Sequence, residues 1–382
     1  MTRWIALSAV CVAAACGGAT RGAPEMPGAL GPGEPISDSA FAAISARISE
    51  QGGYFDTDNL ISNEDGYLKV LGALDRLKVR GGAYVGVGPD QNFSYIATIR
   101  PDIAFIVDIR RDNLLEQLML KALIERAPTR VQFLAGLTGR PAPGDTTGWR
   151  ARDIDDIVAY IDATPADSAT VIALRLELAR EVRSYGIPLT AEDLATIRHF
   201  HGEFIRMGMG LRFTSAGRAP RPYYPTYRGL VTETDLSGGQ ASYLSSAERY
   251  GVVRSLERAN RVIPVVGDLA GDHALREMAA VLREMGLQLT AFYTSNVEFY
   301  LWRAGTVSTW VDNLSTFPAT PNAVIIRSYF PNFGGVHPSA VPGYHATQTL
   351  QPVAVLEKGA FSSYYDLVTK GVIDLRAPAT SR

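Results

Sequence analysis

The stretch 81–113, GGAYVGVGPDQNFSYIATIRPDIAFIVDIRRDN, constrains what this chain can fold into more than any other. Ala83-Tyr84-Val85 is a short apolar run that ends in Gly86-Val87-Gly88, where missing Cβ atoms permit a tight turn and let a ligand approach backbone N–H groups. Ile103 to Val107 is apolar at every position, as a strand buried on both faces should be, and it stops at Asp108. The spacing predicts a strand, a glycine turn, a short helix and a second strand. A carboxylate ending the second strand about 20 residues after the glycine turn is where a doubly wound sheet meets the hydroxyls of a nucleoside-type ligand. The third glycine of the dinucleotide fingerprint would fall at Gln91, which disfavours NAD and FAD.

Further apolar runs extend the pattern. Val131 to Gly136 reads as a third strand, Val262 to Val266 as a fourth and Leu289 to Tyr293 as a fifth. Ala323 to Tyr329 and Pro352 to Leu356 have no full helix between them and suit an antiparallel pair closing the sheet. The runs beginning at 83, 103, 262, 289, 323 and 352 are expected to share one mainly parallel sheet with helices on both faces, an α/β doubly wound fold. Residues 137–260 carry helical periods and caps, too many residues to join consecutive strands, and are expected to form a large helical insertion or lid. Candidate helix starts elsewhere are Asp38, Ser62, an Asn113/Glu116 capping box and Asp272.

In such a sheet, strand ends and helix N-termini share one edge. Asn63, Glu64, Gly86, Gly88, Asp90, Asp108, Asp268, Asn296 and Glu298 are therefore expected to converge on one cleft. The loop 54–64, YFDTDNLISNE, is either a polar cap and turn or a segment folded over the ligand. Arg110 and Arg111 at the strand-to-helix turn are either a solvated surface pair or a phosphate contact, with the solvated pair preferred. The tyrosines of 218–228, RAPRPYYPTYR, either pack a loop or line a pocket, with the packed loop preferred.

Several chemistries are disfavoured. The 382 residues carry a formal net charge of -2 and 46% hydrophobic content, which describes a soluble globular body without the basic stripe of a nucleic-acid binder. His-Glu-x-x-His, Gly-x-Ser-x-Gly and the P-loop lysine motif do not occur, and His199 and His201 point to different faces of their helix. Both cysteines, Cys11 and Cys16, precede the folded body, so no Cys metal site or disulfide framework is expected within it.

The N-terminus reads as an export signal: Arg3, an apolar run from Trp4 to Ala15, then Cys16-Gly17-Gly18. Ala13-Ala14-Ala15-Cys16 resembles a bacterial lipobox, which implies a signal peptide over 1–16, lipidation at Cys16, a flexible linker over 17–37, a domain over 38–382 and an envelope location. Ordinary signal-peptide cleavage is the alternative, because Ala13 replaces the usual Leu.

The stretch around Gly86, Gly88 and Asp108 resembles the first two motifs of class I S-adenosylmethionine (SAM) dependent methyltransferases, with Tyr84 where an acid is usual and Asp90 where a third glycine often stands. The resemblance covers roughly 54–134 and 261–357. The segments Asp58-Asn59-Leu60-Ile61-Ser62-Asn63-Glu64 and Ser295-Asn296-Val297-Glu298 also resemble those of an uncharacterised bacterial family with this core. The resemblance implies SAM as cofactor, held by Asn63, Glu64, Gly86, Gly88, Asp90, Asp108, Asn296 and Glu298, and implies that Asp268, ending strand four, is the candidate catalytic residue. SAM is made in the cytoplasm, whereas the N-terminus argues for export. The competing expectation is a non-catalytic envelope lipoprotein that keeps the fold as a binding or structural module.

Overall fold

The computed structural model describes residues 31, 33–57, 59–215 and 221–377; Cys16 and Asp58, with the expectations placed on them, lie outside these. Among the described residues, six strands form one sheet in the order β3-β2-β1-β4-β5-β6. They are β1 (Ala83–Val87), β2 (Ile103–Asp108), β3 (Val262–Val266), β4 (Leu289–Ser295), β5 (Ala319–Tyr329) and β6 (Thr347–Pro352). All neighbours run parallel except β5 and β6, which pair antiparallel. The chain is a mixed α/β protein built on a mostly parallel sheet. Every residue of β1 and β3 is buried, which explains why both read as unbroken apolar runs.

The helices preceding the long β2-to-β3 crossover are α1 (Asp38–Ile48), α2 (Leu71–Arg76) and α3 (Asn92–Ile99). The crossover carries α4 (Arg111–Arg126), α5 (Arg130–Leu137), α6 (Ile154–Ala163), α7 (Ser168–Ser184), α8 (Ala191–Met207), α9 (Tyr227–Val231) and α10 (Ala247–Arg258). After it come α11 (Ala274–Glu284), α12 (Val297–Ala304), α13 (Val307–Leu314), α14 (Val353–Lys358) and α15 (Tyr364–Thr369). Helices α2, α3, α10 and α4 touch in that order in one layer, and α1, α11, α13 and α14 in another. Two layers follow from right-handed crossovers that leave β1 first in one direction along the sheet and then in the other.

The third strand expected at 131–136 is instead α5, started by a capping box in which Thr129 and Gln132 exchange hydrogen bonds. The run at 262 is therefore the third strand and the run at 289 the fourth. Pro264 is tolerated because β3 is an edge strand. The last apolar run also divides differently: the strand is Thr347–Pro352, and 353–358 is α14. Thr347, Gln348, Thr349 and Gln351 are all buried, so this strand has a polar interior that an apolar pattern does not reveal.

Four expected caps are replaced. Ser37 caps α1 and Asp38 lies in its first turn. Ser62 Oγ accepts from Glu64 N within the loop, and Asn113 and Glu116 are buried inside α4. At α11 the Asp272 side chain makes no cap; Glu50 accepts from Ala274 N at 3.3 Å and from Asp268 N at 2.6 Å. The expected linker ends early, since Ile36 is buried and its N–H donates to Ala259 O.

Candidate functional site

A cavity of about 410 Å³ opens at the carboxyl ends of β1, β2, β3 and β4, where the strand order reverses about β1. Its walls are Val87 and Gly88, Val107 to Arg110, Gly267 to Ala270 and Ser295 to Val297. The loop 55–64 closes one side, and Phe213, Ser215 and Tyr224 reach it from the inserted segment. That contact is hydrogen-bonded: Thr57 Oγ1 donates to Thr214 O at 2.6 Å, and Thr57 and Ser215 form an isolated bridge. The loop therefore closes one side of the cleft, and Phe213, Ser215 and Tyr224 of the β2-to-β3 crossover complete that wall.

The glycine turn is pinned from behind. Asn92 Nδ2 donates to Val87 O at 2.9 Å, Gly88 O at 3.3 Å and Pro89 O at 2.8 Å, while Asn92 Oδ1 accepts from Tyr84 OH at 2.7 Å. Gly88 has φ +87, a left-handed conformation that favours glycine, and it lines the cavity. Gly86 does not. A Cβ there would meet Asn92 Oδ1 at 2.0 Å and Tyr84 OH at 2.6 Å, so its glycine serves packing and not a ligand.

Asp108 is in the cleft, but Arg110 already holds it. Asp108 Oδ1 accepts from Arg110 N at 2.9 Å and Nε at 3.1 Å, and Oδ2 accepts from Nη2 at 3.2 Å. Arg110 Nη1 also donates to Thr57 O at 2.8 Å, so this buried arginine ties the covering loop to the tip of β2. Arg111, by contrast, pairs with Asp193 on α8. Arg110 is therefore not the solvated surface charge expected of it, whereas Arg111 stays exposed at the surface in its ion pair.

Glu64 lies at the cavity wall, fully buried, and accepts from Tyr293 OH, Ser295 Oγ, Ser328 Oγ and Gln348 Nε2. Burial pushes its carboxyl above the usual range, and the four donors pull in the opposite direction. Gln91 donates Nε2 to Tyr293 OH at 3.3 Å while its buried Oε1 has no protein partner among the described residues. Asn59, Asn63 and Asn296 add amides to the same walls. Asp268 lines the cavity too, its Oδ1 accepting from Ala270 N at 2.9 Å.

Of the expected site residues, Asn63, Glu64, Gly88, Asp108, Asp268 and Asn296 come together, and Gly86, Asp90 and Glu298 do not. Asp90 Oδ2 faces the inserted segment and accepts from Tyr227 OH and Tyr243 OH, each at 2.9 Å. Burial pushes its carboxyl up to about 6. Glu298 points into the protein, ion-paired with Arg327 and accepting from Trp310 Nε1 at 3.0 Å. Both acids follow a strand, but each turns its side chain toward a neighbouring element. Gln91 and the tyrosine and serine donors around Glu64 were not expected in the site, although Gln91 stands at the third-glycine position of the fingerprint and Ser295 opens the 295–298 segment; Arg110 was expected only as a surface charge or a phosphate contact. No group of three or more His, Cys, Asp or Glu suited to a metal occurs among the described residues.

A family model described as "Domain of unknown function (DUF7790)" matches residues 60–142 and 212–366, more than half of the chain. The chain belongs to this family. The DUF7790 match contains all six strands and most of the cleft, and it passes over 143–211, which holds α6, α7 and α8. No curated protein matches the chain significantly.

Proposed function

We propose that the cleft binds a nucleoside-type ligand, with SAM as the first candidate, in a methyltransferase-like core. One observation carries the reading: Gly88 and Asp108 line one cavity at the point where the strand order reverses, the place where doubly wound sheets take nucleosides. The amides of Asn59, Asn63, Gln91 and Asn296 suit a ligand rich in both donors and acceptors. With the run at 289 now the fourth strand, the substrate-facing place that the resemblance gave to Asp268 falls at Ser295 and Asn296 instead. Asp268 remains in the cleft as an acid, at the edge-strand end. Calorimetry with SAM and S-adenosylhomocysteine tests the reading. Saturable binding weakened by Asp108→Asn supports it, and no heat at millimolar ligand with folded protein removes it.

A non-catalytic binding module is the second reading, favoured by the Asp108 carboxylate being already occupied by Arg110. Anchoring through acylated Cys16, which would put the protein at the bacterial envelope, is a separate proposal resting on the N-terminal sequence. Cys16→Ser is then expected to release the protein from membrane fractions; unchanged fractionation refutes the anchor.

A further inference from the structure

A second cavity, about 500 Å³, lies away from the cleft between the start of the folded body, the α4–α5 junction and α10. Among the described residues its lining contains Arg130, Arg150, Arg254 and Arg258 and no Asp or Glu. The two inner guanidinium groups are fixed by backbone carbonyls. Arg130, almost wholly buried, donates to Leu244 O, Ser245 O, Arg150 O and Arg152 O, and Arg254 donates to Ile124 O and Glu125 O. Carbonyls orient a cation without neutralising it.

Three acids of the surrounding elements are committed elsewhere. Glu248 on α10 pairs with Arg100, and Glu125 and Glu257 face Lys121. Glu34 acts on Arg261, and Asp153 acts on Arg130 only through space, without an ion pair. Among the described residues none of the four arginines has a carboxylate partner within ion-pair distance. A buried or half-buried cation is ordinarily paired, because desolvation without a counter-charge is costly. Four in one groove, with two preset and two exposed and free to swing, form a receptor for an anion with several oxygens. The exposed forks of Arg150 and Arg258 can match phosphate oxygens two at a time, while Arg130, whose four terminal N–H groups already donate to carbonyls, contributes charge, and the positive end of α5, which opens at Thr129 on the same wall, adds to the field.

We infer that this groove is a second binding site, distinct from the cleft, for a phosphate-bearing anion: either a soluble phosphate ester or the phosphodiester headgroup of an anionic lipid. Arg130 and Arg254 form its base, and Arg150 and Arg258 close on the ligand from the rim.

The test uses the full chain and the double variant Arg150→Ala/Arg258→Ala, whose side chains are exposed and make no hydrogen bond among the described residues. Calorimetry with pyrophosphate at constant ionic strength reads the soluble arm. Co-sedimentation with phosphatidylglycerol against phosphatidylcholine vesicles reads the lipid arm. The wild-type chain is expected to bind in at least one arm, and the double variant to bind at least ten-fold more weakly there. Arg180→Ala/Arg303→Ala, exposed arginines outside the groove with the same loss of charge, is expected to bind as wild type. No pyrophosphate heat and no phosphatidylglycerol preference in the wild type overturns the site. So does a double variant that binds normally, or a control pair that weakens binding equally.

Discussion

Arg110 clasps the carboxylate of Asp108, with Nε 3.1 Å from Oδ1 and Nη2 3.2 Å from Oδ2, and both side chains are largely buried. Any ligand hydroxyl that Asp108 accepts must share that carboxylate with the arginine. Asp108→Asn removes the charge while keeping one acceptor, so two losses are expected. A nucleoside-type ligand should bind about ten- to a hundred-fold more weakly, the equivalent of about 1.5–3 kcal/mol for a hydrogen bond to a charged group. The covering loop should also loosen, because Arg110 bridges to Thr57 O. Calorimetry checks the first and hydrogen exchange over 55–64 the second. Unchanged affinity in a folded variant would remove Asp108 from the ligand site.

Gly86→Ala is expected to destabilise the protein without bearing on the ligand directly. Its Cβ would displace Asn92, which holds the glycine turn through three backbone carbonyls. Overpacking of this kind costs about 1–3 kcal/mol, and breaking the buried amide's bonds adds to it. Urea denaturation measures the loss. A variant as stable as wild type would mean the turn has room that the geometry denies.

Asp90 gives a pH dependence with a definite sign. Its carboxyl is pushed up from the ordinary 3.8 to about 6, chiefly by burial, with the Tyr227 and Tyr243 hydroxyls opposing the shift. A folded-state value above the unfolded one means that the folded protein holds the proton more tightly. The stabilisation is fully present below about pH 4 and is lost as pH rises through about 6, on the order of 3 kcal/mol in all. Asp90→Asn keeps an acceptor for both tyrosines and cannot ionise. It is expected to exceed wild-type stability at pH 7 and to converge with it near pH 4, as urea midpoints across that range would show. Parallel profiles would refute the assignment.

The sheet was largely legible because its central strands are buried on both faces and read as unbroken apolar runs, as Ile103 to Val107 does. The edges were not. Thr347 to Gln351 fills its interior with polar side chains around Glu64, and Val131 to Gly136 is apolar enough for a strand but follows a Thr129-x-x-Gln132 box that commits it to a helix. For the site, position along a strand was the readable quantity, and side-chain direction was not. Asp108 and Glu298 both stand near strand ends, yet one faces the cleft and the other Arg327, a partner supplied by a strand 29 residues away.

That buried pair supports a further expectation. Glu298 and Arg327 are 1% and 0% exposed, and the Trp310 indole donates to the same carboxylate. Glu298→Ala leaves the guanidinium charged in the core without its counter-ion, which costs about 3–5 kcal/mol. Glu298→Leu with Arg327→Met removes both charges and is expected to recover much of that loss. Chemical denaturation of the two variants decides it; a double variant no better than Glu298→Ala would show that the pair's packing matters more than its charge.

Glu64 joins the cleft to the polar interior of the last strand pair, and its variants separate those roles. Its carboxylate takes hydrogen bonds from three hydroxyls and the Gln348 amide, from β4, β5 and β6. Glu64→Ala strands those donors in a buried space, at about 1–3 kcal/mol for each group left unsatisfied, so a large loss of stability is expected. Glu64→Gln keeps one oxygen acceptor, and its new N–H groups find partners if the serine hydroxyls turn to accept. Its cost should be much smaller. Because burial raises the Glu64 carboxyl, the wild-type protein gains stability from it at low pH and loses that contribution as pH rises through the folded-state value. Glu64→Gln should therefore show a flatter stability profile above the ordinary carboxylate range, an effect separable from Asp90→Asn by combining the two. If Glu64→Gln is as damaging as Glu64→Ala and leaves the pH profile unchanged, the carboxylate is ionised throughout and the hydroxyls hold it as an anion.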